Sequence, residues 1–167
     1  MVVNQVEDPL DQTPLDPAAL DLLQLGLFAG MAANQKLRER LAASGVRGVR
    51  DSHGFIIQHL LRGPHSASEL AELLGISQQA VSKSLAELAR WKLVQPAPSD
   101  DRRVRKLRLS ARGRAVVTTS RTLRRELEAE LIDACGEQAY AQAKSVLLTA
   151  LDALGALPAI RERKLRP

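Results

Sequence analysis

Apolar residues recur along most of this chain at helical spacing, and the pattern switches to alternation in one place only. Asp16-Pro17 reads as a helix start, a capping carboxylate before the turn position that favours proline. From there Leu20, Leu23, Leu27, Met31, Leu37 and Leu41 predict a helix reaching Ser44-Gly45. Phe55, Ile56, Leu60 and Leu61 predict a second helix from Val49 to Arg62, ended by Gly63-Pro64.

Ser66 and Glu69 then stand at capping-box spacing before Leu70, Leu73 and Leu74, which marks a short third helix. Gly75-Ile76-Ser77 predicts a tight turn, with Gly75 supplying permissive backbone and Ile76 plugging the angle between two helices. Ser77 caps a fourth helix whose Val81, Leu85 and Leu88 share one face. Past Trp91 the period changes. Leu93-Val94-Gln95, a polar turn over 96–101, and Val104 to Leu109 predict an antiparallel hairpin, because Leu107 and Leu109 alternate with Lys106 and Arg108. Ser110-Ala111-Arg112-Gly113 leads into a long stripe of Val116, Val117, Leu123, Leu127 and Leu131 that runs to Gly136. A final helix carries Ala143, Val146, Leu147, Ala150, Leu151 and Leu154, ahead of Pro158 and a basic tail.

These elements give a mainly α chain with a small β-hairpin. At 167 residues there is room for one domain with helical extensions and no second catalytic domain. Aromatic residues make up 2%, so the core must be built from Leu, Val, Ile and Ala. The first sixteen residues hold four acids and no base, which leaves 24 basic against 15 acidic side chains, a net +9, on the rest. A basic body suits a polyanion, nucleic acid ahead of a membrane surface. The acidic, proline-containing residues 1–15 are expected to be a loose arm. A single cysteine, no membrane-length apolar run and no basic N-terminus fit a cytoplasmic protein.

With Val81, Leu85 and Leu88 buried, Gln78, Gln79, Ser82 and Lys83 must face outward near the start of the fourth helix. Gln matches the adenine edge, Ser donates to base or phosphate, and Lys suits guanine acceptors or phosphate oxygens. A solvated helix face would also carry such residues, so the following hairpin decides the matter. From Arg102 to Arg114 the chain holds Arg102, Arg103, Arg105, Lys106, Arg108, Arg112 and Arg114 and no acid. Cations packed this densely repel unless an anion neutralises them, and duplex DNA carries one charge per about 1.7 Å of axis. Asp101 fits as an organiser of the hairpin tip, accepting backbone N–H bonds and steering Arg103.

The series Leu74-Gly75-Ile76-Ser77, Val81-Ser82-Lys83, Leu88, Leu93-Val94, Asp101-Arg102-Arg103, Leu107-Arg108-Leu109-Ser110 and Gly113 resembles the MarR family of regulators in order and interval. The resemblance covers residues 49–115 and extends to the flanking helices by layout. Lys92 stands where many members have glycine. The resemblance implies a winged helix-turn-helix lobe over 49–110, dimerisation helices over 16–48 and 111–157, and a basic tail over 158–167. It implies a homodimer that binds double-stranded DNA as a sequence-specific, ligand-responsive repressor on a near-palindromic operator. Ser66, Ser77, Gln78, Gln79, Ser82, Lys83, Arg102, Arg103, Arg105 and Lys106 are the DNA-binding candidates.

Members of the family commonly bind a small aromatic or anionic effector, and Phe28, Met31, Arg50 and His53 are the candidate lining here. Phe28 and Met31 also read as core, and His53 as an ordinary histidine. Cys135 lies near the end of the long helix, where a small packed residue is the simpler reading than a redox sensor. His53 and His59 are six apart, off the four-residue pairing that grips zinc, and no phosphate loop, dinucleotide fingerprint or nucleophile elbow occurs. No cofactor, metal or catalysis is expected. The rival reading is a winged helix used for protein contact or for coating DNA without sequence preference.

Overall fold

The computed structural model describes residues 16–98 and 105–164. The arm at 1–15, together with Asp101, Arg102 and Arg103 of the hairpin tip, lies outside them. Seven helices and one two-stranded hairpin account for the described chain, in the order α1 (Leu22–Ala43), α2 (Asp51–Leu60), α3 (Ala67–Leu74), α4 (Gln78–Arg90), β1 (Val94–Pro96), β2 (Leu107–Leu109), α5 (Ala111–Cys135), α6 (Glu137–Ala153) and α7 (Leu157–Glu162). The fold is mainly helical with a small wing, as the pattern predicts. No helix is long and apolar enough to cross a membrane.

The first helix starts later than the sequence suggests. Asp16 caps only a single 3-10 turn, Pro17–Ala19, and extended Leu20 interrupts the chain. Asp21 then forms a capping box, its carboxylate accepting the Gln24 N–H at 2.9 Å while Gln24 Oε1 accepts the Asp21 N–H at 3.3 Å. Two acceptable caps lie one turn apart, and the second satisfies two backbone donors where the first satisfies one. At the other end, Pro158 opens the short helix α7 where a plain tail is expected, because proline is tolerated in a first turn.

The core sits between α2, α3, α4, the hairpin and the start of α5. Ile56, Leu60, Leu70, Leu74, Val81, Leu85, Leu88, Leu93, Leu109 and Val116 form its centre. The hairpin pairs Val94 with Leu109 and Pro96 with Leu107. His65 adds a third short rung, its N–H donating to the Leu107 carbonyl at 3.0 Å and its carbonyl accepting back at 2.8 Å. Gly113 lets α5 press on β1: a Cβ there would fall 2.1 Å from the Leu93 carbonyl oxygen. In contrast, α6 buries nothing, and α1 buries only Leu37 and Leu41. Leu23 and Leu27 face solvent, and so do Phe28 and Met31, against their reading as core.

Candidate nucleic-acid interface

Recognition-type geometry begins with the turn between α3 and α4. Gly75 takes the left-handed conformation, φ 56° and ψ 40°, that closes α3, and the Ile76 N–H returns to the Ala71 carbonyl at 3.1 Å. Ser77 Oγ accepts the Ala80 N–H at 3.2 Å and so starts α4. Val81, Leu85 and Leu88 point into the core, so Ser77, Gln78, Gln79, Ser82 and Lys83 all lie exposed on one contiguous outer face. Ile76 does not plug the helix angle as expected; it is 39% exposed, while Leu70, Leu74 and Val81 are the buried residues there.

The far end of α4 is anchored in a way that the sequence does not reveal. Buried His53 accepts the Arg50 N–H on Nδ1 at 3.0 Å, which leaves the proton on Nε2 to be donated to Glu87 Oε2 at 2.8 Å. Arg50 also pairs with the Glu87 carboxylate, and the Trp91 ring meets the His53 ring edge-on at 5.2 Å. Desolvation is the largest influence on His53 and lowers its pKa, with the Glu87 hydrogen bond working against it. Glu87 is lowered chiefly by Arg50. Nothing in the spacing signals this contact, because Glu87 meets residues more than thirty positions earlier.

The wing base has its own fastening. Lys106 Nζ lies 2.7 Å from Glu69 Oε1, while Glu69 Oε2 accepts the Ser66 N–H at 2.7 Å. The Glu69 carboxyl is held down at about 2, first by Lys106 and then by Ser66. Ser66 is buried, with its Oγ accepting the Glu69 N–H at 3.2 Å, so the hydroxyl offered as a DNA contact is committed to the cap. Lys106 likewise is partly neutralised within the chain. Arg105 is exposed, and exposed Arg108 faces Gln95 across the strands. With the Gln95 amide turned so that its oxygen accepts, Arg108 donates to it from Nε at 3.2 Å and Nη2 at 3.1 Å. Ser110 joins wing to helix, its Oγ donating to the Lys92 carbonyl at 2.6 Å and accepting the Gly113 N–H at 2.9 Å. Lys92 itself takes φ 59°, the left-handed turn for which glycine is the ordinary choice.

The four effector candidates do not come together as one lining. His53 is sealed, and Phe28 and Met31 are exposed along α1. Arg50 alone borders a hollow of about 360 Å³ between the end of α1 and the start of α2, where Arg38 and Arg47 rim an apolar floor of Leu41, Ala42, Val46 and Val49. Arg38 is also paired with Asp51 at 2.8 Å. Cys135 is exposed, and its thiol donates to the Leu131 carbonyl at 3.0 Å.

Residues 47–103 match the model described as the MarR family. Among solved structures, MepR, a transcription regulator of the Staphylococcus aureus multidrug efflux pump MepA, is similar at 20% identity and TM-score 0.66, over 81% of this chain and 99% of that one. The YusO protein from Bacillus subtilis is similar at 23% identity and TM-score 0.64, over 78% of this chain and 93% of that one. A mutant of S. aureus MepR bound to an oligodeoxyribonucleotide is similar at 21% identity and TM-score 0.60, over 81% and 99%. No curated protein matches the sequence significantly. Residues 47–103 are thus similar to the MarR family, and the chain has a winged helix-turn-helix fold of the MarR type.

Proposed function

We propose that this chain is a sequence-specific, double-stranded DNA-binding transcriptional regulator that works as a homodimer. The observation that carries the reading is the contiguous polar face of Ser77, Gln78, Gln79, Ser82 and Lys83, held rigid behind by the Arg50–Glu87–His53 anchor and flanked by a basic hairpin. A helix presented by its N-terminal end fits the major groove, and the exposed arginines beside it fit phosphate. In the sequence, Arg102 and Arg103 add two further cations between the strands. The match to the MarR family and the DNA-bound MepR relative support it.

The terminal helices supply the dimer. Leu22, Leu23, Leu27, Phe28 and Met31 in α1, with Val146, Leu147 and Leu154 toward the chain end, stand exposed, and clustered exposed apolar side chains mark an interaction surface. A second copy covering it gives two lobes on a near-palindromic operator with half-sites about 10 bp apart. Of the aromatic or anionic effectors the family takes, an anionic one that relieves repression fits the hollow lined by Arg38, Arg47 and Arg50 against the single acid Glu39, because a ligand anion taking Arg50 competes with Glu87 and loosens the α4 anchor.

A competition assay at moderate salt tests the reading, using duplex selected from a random pool. A regulator prefers its operator over random duplex by about 10³ or more. Equal affinity for both identifies a DNA-coating winged helix instead, and no affinity for either identifies a protein-contact module.

A further inference from the structure

Between Met31 and Leu131, Ile76 is the only large hydrophobic side chain among the described residues that stands exposed, at 39%. The other exposed apolar side chains lie on the terminal helices, where they form extended faces. Ile76 is isolated on the polar surface that carries Ser77, Gln78 and Gln79.

Its backbone is fixed from both sides. Gly75 before it is in the left-handed cap of α3, the Ile76 N–H is bonded to the Ala71 carbonyl at 3.1 Å, and Ser77 after it caps α4. The residue before a cap commonly leans toward the fourth helical residue, here Val81, which leaves its other flank turned outward. That flank stays in water. A single side chain is far too small to seat a protein partner, whose interface covers roughly 800 Å² on each side. The major groove, however, carries one apolar landmark, the C5-methyl group of thymine.

We propose that Ile76 is a specificity-determining residue that packs on a thymine C5-methyl in each half-site, beside the base edges read by Gln78 and Gln79. The inference rests on the DNA-binding reading and adds an apolar contact to its polar ones. Because the backbone is already held in place, contact with the methyl has only the side-chain rotamers left to immobilise.

The test uses the full chain and an operator selected from a random duplex pool, in which each thymine is replaced in turn by deoxyuridine, which lacks only the methyl. Wild-type protein should lose about three- to tenfold in affinity at one thymine per half-site, the scale of one buried methyl group. Ile76→Ala should show a similar loss on the unmodified operator and no further loss at that position. Its affinity for random duplex should be unchanged, and Ile76→Val should keep part of the discrimination. If Ile76→Ala responds to every deoxyuridine as wild type does, or if no thymine matters, the inference is overturned. If no duplex can be selected at all, the DNA-binding reading fails and takes the inference with it.

Discussion

Lys106 Nζ sits 2.7 Å from Glu69 Oε1, so the base of the wing is tied to the first turn of α3 by the same carboxylate that caps that helix. Both side chains are more than a third exposed, and solvent screening keeps the pair weak. A double-mutant cycle on Glu69→Gln and Lys106→Gln should return a coupling of about 0.5 kcal/mol. The Glu69 pKa is depressed to about 2 from an ordinary 4.5, so its contribution is complete above about pH 4.5 and is lost as pH falls toward 2. Urea unfolding from about pH 6 down to about pH 2.5 should therefore show the gap between wild type and Glu69→Gln closing with acid. A gap that widens with acid refutes the ion pair as drawn.

Gly113→Ala should be among the most damaging single substitutions in the chain. The new methyl would fall 2.1 Å from the Leu93 carbonyl oxygen, which itself accepts the Ser110 N–H at 2.9 Å and so is not free to move. Overpacking against backbone on this scale costs about 3 kcal/mol, seen as a drop in Tm of roughly 6–12 °C. An unchanged Tm would mean that α5 does not press on β1 this closely.

The opposite sign is expected at Lys92. Its φ of 59° strains any residue with a Cβ, and glycine relieves this while giving up some chain entropy. Lys92→Gly should raise stability by about 0.5–1 kcal/mol in thermal unfolding; a loss would place Lys92 outside the left-handed turn.

His59 is buried, and its Nε2 has no hydrogen-bond partner among the described residues. Burial is the main reason its pKa lies below the ordinary 6.5, with the charges of nearby His65, Arg62 and Arg163 acting in the same direction and the Arg163 backbone weakly opposing. The unfolded chain takes up this proton first, so the contribution is intact above about pH 6.5 and is lost as the solution is acidified below it. His59→Leu removes both the buried nitrogen and the titration. It should raise stability by about 1 kcal/mol at pH 5.5, with less gain at pH 8, as read by chemical denaturation. A variant less stable than wild type at both pH values contradicts the assignment.

Local signals in the sequence located the working parts of the lobe. Ser66 with Glu69, Ser77, Gly75 and the alternating Leu107 and Leu109 each act within a few residues, and each does in the structure what its spacing implies. What the sequence hid depends on contacts across the chain. The Lys106–Glu69 and His53–Glu87 contacts span 37 and 34 positions, so no local spacing announces them. The helix start at Asp21 was masked by the nearby Asp16-Pro17, which carries the same capping signal. Leu23, Leu27 and Met31 show the helical period of a core helix, and the period alone does not say whether the covering surface belongs to the same chain.

Duplex binding by the face of α4 and the wing is read out by the affinity for labelled duplex across a salt series. Binding should be tight at low ionic strength, with log K falling linearly against log salt at a slope of about −0.9 for each phosphate neutralised. Arg105→Ala should make that slope shallower on every sequence, and Gln79→Ala should leave the slope intact while relaxing base preference. Protein that ignores duplex DNA at low salt, or binds it with no salt dependence, contradicts the central claim.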